Sequence, residues 1–126
     1  MVIREANGEL DISGSPAELN AIGERIERLA DGGNLTIDAD AAADPRPYKR
    51  CLAALEVRAT ADGGPVRVAV SGDRVVVTGG GEMMLGFASF FGFNADDTRG
   101  AHHHHDWFEG NPYVAQGSAP LVVSVA

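Results

Sequence analysis

The chain has one cysteine, Cys51, so no intrachain disulfide is possible, and at 126 residues it needs none. A chain of this length buries roughly two-thirds of the surface its unfolded form exposes, enough for one self-supporting core. Lysine is nearly absent: nine of the ten basic residues are arginine, and they face 18 acids, for a formal net charge of -8. That excess argues against nucleic acid as a direct partner, because binding there needs a basic footprint that displaces counterions from phosphates. No apolar run approaches the ~20 residues that span a bilayer, and the start lacks a charged segment followed by an apolar one. The expectation is a cytoplasmic protein without membrane contact, its oligomeric state left open. Aromatic residues are only 6% of the chain, and this scarcity makes their placement informative. Four of the five phenylalanines and all four histidines fall between Gly79 and Trp107.

From the amino end, Asn7-Gly8 between Val2–Glu5 and Glu9–Ile12 marks a β-hairpin, since Asn-Gly supplies the two positive-φ positions of a type I′ turn. Ser15-Pro16-Ala17-Glu18 opens a helix, with serine at the N-cap, proline at the first helical position and glutamate placed to reach back to the cap. Leu19, Ile22, Ile26 and Leu29 recur at helical spacing until Gly32-Gly33 stops the pattern. Asn34–Asp38 reads as a strand, and an acidic loop runs to Pro47. From Cys51 to Thr60 apolar and polar residues alternate, which predicts one half-buried strand with Cys51 on its buried side. Val66–Val70 and Arg74–Thr78 follow after glycine turns and suggest an antiparallel meander.

The run Gly79-Gly80-Gly81 reads as a flexible strand-to-helix turn; it lacks the Gly-Lys-Ser/Thr of a phosphate loop. A second helix is expected from about Glu82 to Phe91, with Met83, Phe87, Phe90 and Phe91 on one face and Gly92 as its C-cap. A strand through the histidines and a closing strand Leu121–Val125 complete the pattern ββα-ββββ-α-ββ. The fold class is α+β: one domain, residues 1–126, two helices on a mainly antiparallel sheet, with Leu19, Ile22, Ile26, Leu55, Val57, Val68 and Phe87 in the core.

Several residue sets invite chemistry. In a strand, His102, His104 and Asp106 share one face and His103, His105 and Trp107 the other. Two imidazoles at i,i+2 plus a carboxylate suit zinc, so His102, His104 and Asp106 are the metal candidates, and a small metal-binding hydrolase is the alternative reading. Exposed or interface histidines are the simpler reading, and no cofactor is expected. Asp38, Asp40 and Asp44 fail as a calcium loop, because Ala43 and Lys49 stand where glycine and glutamate are required. No nucleophile elbow is present, Cys51 reads as a small core residue, and a triad of Ser118, a histidine and Asp106 rests on residue types alone. Pro45–Arg50, the one local basic cluster, reads as solvated surface. The aromatic set Phe87, Phe90, Phe91, Phe93, Trp107, Phe108 and Tyr113 must in part be core, and core alone is the simpler reading; what is left over, around Phe93, Trp107, Phe108 and Tyr113 and flanked by Asp96, Asp97, Asp106 and Glu109, has the make-up of a protein-binding patch: aromatic anchors inside a charged rim.

The helix Met84 to Phe93, the segment His102-x-His104-x-Asp106-Trp107-Phe108 and the ending Gly117-Ser118-Ala119-Pro120-Leu121-Val122-Val123 resemble the immunity protein 32 family of bacterial polymorphic-toxin systems. The resemblance lies mainly in the C-terminal half. It implies a small α+β protein that binds and neutralises a cognate protein toxin, with a nuclease as one candidate target and no catalytic residues to carry over. Four consecutive histidines stand where the family pattern suggests an alternating pair, which leaves the roles of His103 and His105 open.

Overall fold

The computed structural model describes residues 1–126 as nine strands and two helices in an α+β arrangement, mostly sheet. The order is β1 (Val2–Ala6), β2 (Glu9–Gly14), α1 (Pro16–Glu27), a 3-10 turn (Arg28–Asp31), β3 (Asn34–Asp38), β4 (Arg50–Leu52), β5 (Ala54–Thr60), β6 (Arg67–Ser71), β7 (Arg74–Gly80), α2 (Gly81–Ser89), β8 (His102–His105) and β9 (Leu121–Val125). Local signals are obeyed closely. Asn7 and Gly8 both have positive φ, at 54° and 83°, as the type I′ hairpin requires. The Ser15 hydroxyl accepts the Glu18 amide at 3.1 Å, and Leu19, Ile22 and Ile26 are buried along α1. The Glu18 carboxylate does not turn back to the cap; it pairs with the α-ammonium of Met1 at 2.6 Å.

Strand pairing departs from a single antiparallel sheet. There are two sheets, in the orders β4-β1-β2-β9-β8 and β3-β5-β7-β6, each with one parallel pair, β2 with β9 and β5 with β7. The expected meander is absent. β5 pairs with β7, while β6 lies on the far side of β7. Burial explains this order. Leu55 and Val57 of β5 and Val75 and Val77 of β7 are fully buried, whereas β6 exposes Arg67, Ala69 and Ser71 and takes an outer position.

The expected strand from Cys51 to Thr60 is broken at Ala53. β4 joins β1 in the five-stranded sheet, β5 joins the four-stranded sheet, and Ala53 spans the gap, its N–H donating to Asp73 at 2.7 Å and its carbonyl accepting from Ala39 at 2.8 Å. The break resets the alternation. Leu52 becomes core, and Cys51 is only half-buried on the opposite side, its Sγ 3.3 Å from the Ala43 carbonyl.

The core cluster draws on both sheets and both helices and includes Leu19, Ile22, Ile26, Leu55, Val57, Val68 and Phe87 as expected, but not Cys51. Helix α2 ends at Ser89, short of Gly92, and turns Met84 rather than Met83 fully inward with Phe87 and Ala88. The glycine run is not a flexible turn. Gly80 has φ -62° and ψ 151°, conformations open to any residue, yet a Cβ there would lie 2.5 Å from Gly63 Cα. A Cβ on Gly81 would overlap the Ala30 carbonyl. These glycines are needed for close packing between strand, turn and helix.

Candidate partner-binding site

The site is built where α2, β8 and the chain after β8 meet. Alternation along β8 exposes His102 and His104 and turns His103 and His105 towards α2. His105, 2% exposed, sits edge-on to Phe87 and Phe90 with ring centroids 5.1 and 4.8 Å away. His103 stacks flat on Phe93 at 4.4 Å, and its Nδ1 lies 2.9 Å from the Phe90 carbonyl, so that nitrogen carries the proton and donates. Burial holds the His105 imidazole below the ordinary histidine range, with Asp106 and the residue's own backbone acting the other way. The ring is therefore neutral at neutral pH, and its Nδ1 is buried without a hydrogen-bond partner.

The strand stops at His105, so Asp106 and Trp107 fall outside the alternation that would have placed Asp106 beside His102 and His104. His102 and His104 are near one another, ring centroids 4.9 Å apart, and His102 Nδ1 is 2.8 Å from the Gly100 carbonyl. No three histidine, cysteine or carboxylate side chains gather into a set able to hold a metal ion. The Ser118 hydroxyl has no histidine partner: it accepts the Val68 amide at 3.2 Å and sits 3.4 Å from the Val66 carbonyl.

Between α2 and the loop after β8 lies a cavity of about 370 Å³. Phe87, His105, Val66 and Val114, all buried, form its floor; Met83 and Phe90 line its side; Asp106, Phe108, Asn111 and Tyr113 form its rim. Phe108 is 64% exposed and Tyr113 66%, a large apolar display for so small a protein. Their backbone is nevertheless anchored. The Asn111 amide N–H donates to the Phe108 carbonyl at 3.0 Å, its side chain donates to the Asp106 carbonyl at 3.3 Å and accepts the Tyr113 N–H at 2.9 Å, and Gly110 takes the turn at φ 87°. The Tyr113 carbonyl then accepts from Val66 at 2.8 Å, and Ala115 donates back to Val66 at 2.8 Å, so the loop ends as an isolated bridge to Val66, the residue just before β6.

Of the residues expected in the patch, Asp106, Phe108 and Tyr113 meet at this cavity. Trp107, 37% exposed, and Glu109 share the loop without lining the cavity. Phe93, Asp96 and Asp97 are elsewhere. The Phe93 ring is taken by His103 and its backbone by both ends of the Asn20 amide, at 2.8 and 3.0 Å, while Asp97 accepts the Asn94 N–H at 2.7 Å in its own turn. Sequence reasoning missed Asn111, Val66 and Val114. Asn111-Pro112 is a legible turn signal, but nothing local joins Val66 to residues almost fifty positions later.

The outer face of the five-stranded sheet is polar. Arg4 lies 3.8 Å from Asp11, which accepts the Ser124 hydroxyl at 2.8 Å. Burial pushes the Asp11 carboxyl up, against the lowering effects of Ser124, Arg4 and His102. In the basic loop beside this face, Arg46 makes a two-pronged contact with Asp44, and Arg50 neutralises the buried Glu5 at 2.9 Å. The cluster lies at the surface as expected, with Arg46 and Arg50 exposed and each also paired with a carboxylate.

A family model described as Immunity protein 32 matches residues 9–46 and 75–125, most of the chain, including α1, α2, β8, β9 and the loop that carries Asp106, Phe108, Asn111 and Tyr113. No curated protein and no solved structure matches the chain.

Proposed function

The chain belongs to the immunity protein 32 family, and from that premise we propose that it is a non-catalytic protein that binds and neutralises a cognate toxin inside the cell that makes both. The observation that carries this reading beyond family membership is the pair of exposed aromatic rings, Phe108 and Tyr113, on a backbone held by Asn111 and by the bridge to Val66. Exposed aromatics on a pre-ordered loop lose little conformational freedom on binding, which is the character of an interface anchor. Trp107, Asp106 and Glu109 extend the same surface, and the net charge of -8 favours a basic partner such as a nuclease toxin. No helix is long and apolar enough to cross a membrane.

Complementary charge acts mainly on encounter and desolvated aromatic anchors act on residence. Raising salt should therefore slow association, whereas Phe108→Ala and Tyr113→Ala should each speed dissociation at least about tenfold, the 1.4 kcal/mol scale of an interface anchor. The direct test is co-expression with the toxin encoded by the adjacent gene. Protection from killing and a complex on a sizing column at micromolar concentration are expected. Equal killing with and without this protein, together with no complex, overturns the reading.

A further inference from the structure

We infer that the free edge of β3 is an interface that takes the β3 of a second copy of this chain, in antiparallel register about Thr36. The starting point is a row of unused backbone groups. The ladder between β3 and β5 is closed by the Ala59 N–H on the Gly33 carbonyl at 3.0 Å and by the Ala39 N–H on the Ala53 carbonyl at 2.8 Å, so Leu35 and Ile37 carry the bonds to β5 between them. The N–H and C=O groups of Asn34, Thr36 and Asp38 therefore point the other way, where no strand or loop pairs with them. The remaining edges offer less. Beside β6, Ala119 donates to the Val68 carbonyl at 2.8 Å and the Ser118 hydroxyl accepts the Val68 amide at 3.2 Å, while β4 has three residues and β8 four. Exposed edges are ordinarily blunted by lysine, proline or a bulge, and the unbroken run Asn34–Asp38 has none of these.

The side chains select the occupant and the register. With a two-fold axis through the Thr36 pair, Asn34 faces Asp38 of the second copy, threonine faces threonine, and on the other face of the sheet Leu35 faces Ile37. Every pair is a favourable one. An axis at any other residue leaves part of the run without a partner, and at Asp38 it sets two carboxylates against each other. Charge fits the same arrangement. Asp38 has no cationic partner in its own chain, and Arg58 lies across from Asn34, which puts Arg58 of the second copy in the same cross-strand row as Asp38. Strands about 4.8 Å apart leave these two residues about 10 Å apart at the backbone, within joint reach of their side chains. Leu35 and Ile37 are half-buried, so the seam also covers the apolar surface they still show. It joins the two four-stranded sheets into one. The net charge of -8 opposes self-association, but at about 0.15 M salt the Debye length is about 8 Å and charges remote from the seam are largely screened.

The test is sedimentation velocity of the intact protein from about 10 µM to about 1 mM, where so small a seam should give a dimer with a dissociation constant of roughly 0.1 mM. Amide exchange followed by NMR then reads the register. The monomer fraction falls about fourfold across that range, so exchange at Asn34, Thr36 and Asp38 should slow about fourfold, while Leu35 and Ile37, bonded to β5 in the monomer, should not change. Asn34→Asp sets two carboxylates face to face at both ends of the seam and should weaken the dimer about tenfold; adding Asp38→Asn restores the complementary pair and the affinity. Both positions are exposed, so each variant should keep the wild-type circular dichroism spectrum and melting temperature. A protein that stays monomeric at about 1 mM leaves the edge to a strand of another protein and overturns the inference. So does a dimer that forms without slowing exchange at Thr36, one whose affinity Asn34→Asp leaves unchanged, or a double variant no tighter than Asn34→Asp. The immunity reading stands or falls separately, on the toxin complex.

Discussion

Replacing Gly80 by alanine tests whether the glycine run is a matter of space rather than of flexibility. Gly80 closes β7 with ordinary extended dihedrals, so alanine meets no backbone penalty there. The added Cβ, however, would lie 2.5 Å from Gly63 Cα, 2.6 Å from its carbonyl carbon and 2.9 Å from its oxygen. Carbon atoms rest about 3.5–4.0 Å apart, so the turn at Gly63 has to retreat by about 1 Å. That turn is held by the Gly80 N–H on the Gly64 carbonyl at 2.8 Å, and by Asp62, whose carboxylate accepts the Gly64 N–H at 2.9 Å and the Thr60 hydroxyl at 2.7 Å. Retreat strains the first of these bonds. Overpacking costs about 1–3 kcal/mol and a weakened hydrogen bond about 1 kcal/mol more, giving roughly 2–4 kcal/mol in all. For a chain of this length the melting temperature should fall by about 8–16 °C. Gly86→Ala is the control. It lies within the same helix that Gly81 opens, nothing is within 4 Å of its added Cβ, and the gain in helix propensity is about 0.5–1 kcal/mol. Thermal and urea unfolding followed by far-ultraviolet circular dichroism reads both variants, with unchanged urea dependence confirming that the same transition is compared. Wild-type stability in Gly80→Ala, or a shift of the two variants in the same direction, refutes the steric account.

Leu55→Ala and Phe87→Ala should each cost roughly 2–5 kcal/mol in urea unfolding, because both side chains are fully buried in the common core; a loss below about 1 kcal/mol would contradict their placement. The folded pKa of His105 is lowered by burial, so as pH falls below the ordinary histidine value of about 6.5 the unfolded chain takes up the proton first and stability declines. That decline should approach about 1.4 kcal/mol per pH unit until the folded ring titrates, and His105→Leu should flatten the stability profile between about pH 7 and 5; an unchanged profile assigns the acid sensitivity elsewhere. Asn111→Ala removes the clamps on the Asp106 and Tyr113 backbones, and hydrogen exchange over residues 106–113 should accelerate while the melting temperature drops only slightly. Exchange rates equal to wild type would show that the bridge to Val66 holds the loop without Asn111.

The features that the sequence determined by itself are those whose cause lies within about ten residues. The Asn7-Gly8 hairpin, the Ser15 cap, the buried stripe Leu19, Ile22, Ile26 on α1 and the split of the four histidines between two faces follow from dihedral preference, capping and periodicity, and all are present in the structure; which of those faces is inward was left to the fold. The aromatic and acidic composition of the loop from Asp106 to Tyr113 was equally legible, because polar residues flanking exposed rings need no distant partner to be noticed. Tertiary structure decided the pairing. Valine-rich segments of similar length compete for the same neighbours, and alternation says which face is buried but not which strand lies alongside; only the combined burial of Leu55, Val57, Val75 and Val77 puts β5 beside β7 and leaves β6 outside. The break at Ala53 depends on hydrogen bonds to Ala39 and Asp73, both remote in the chain, and the need for Gly80 depends on a turn seventeen residues earlier. The cavity belongs to the same class. Its floor combines Val66, Phe87, His105 and Val114, contributed by separate parts of the chain, and His105 Nδ1 is left without a partner only because those segments close around it.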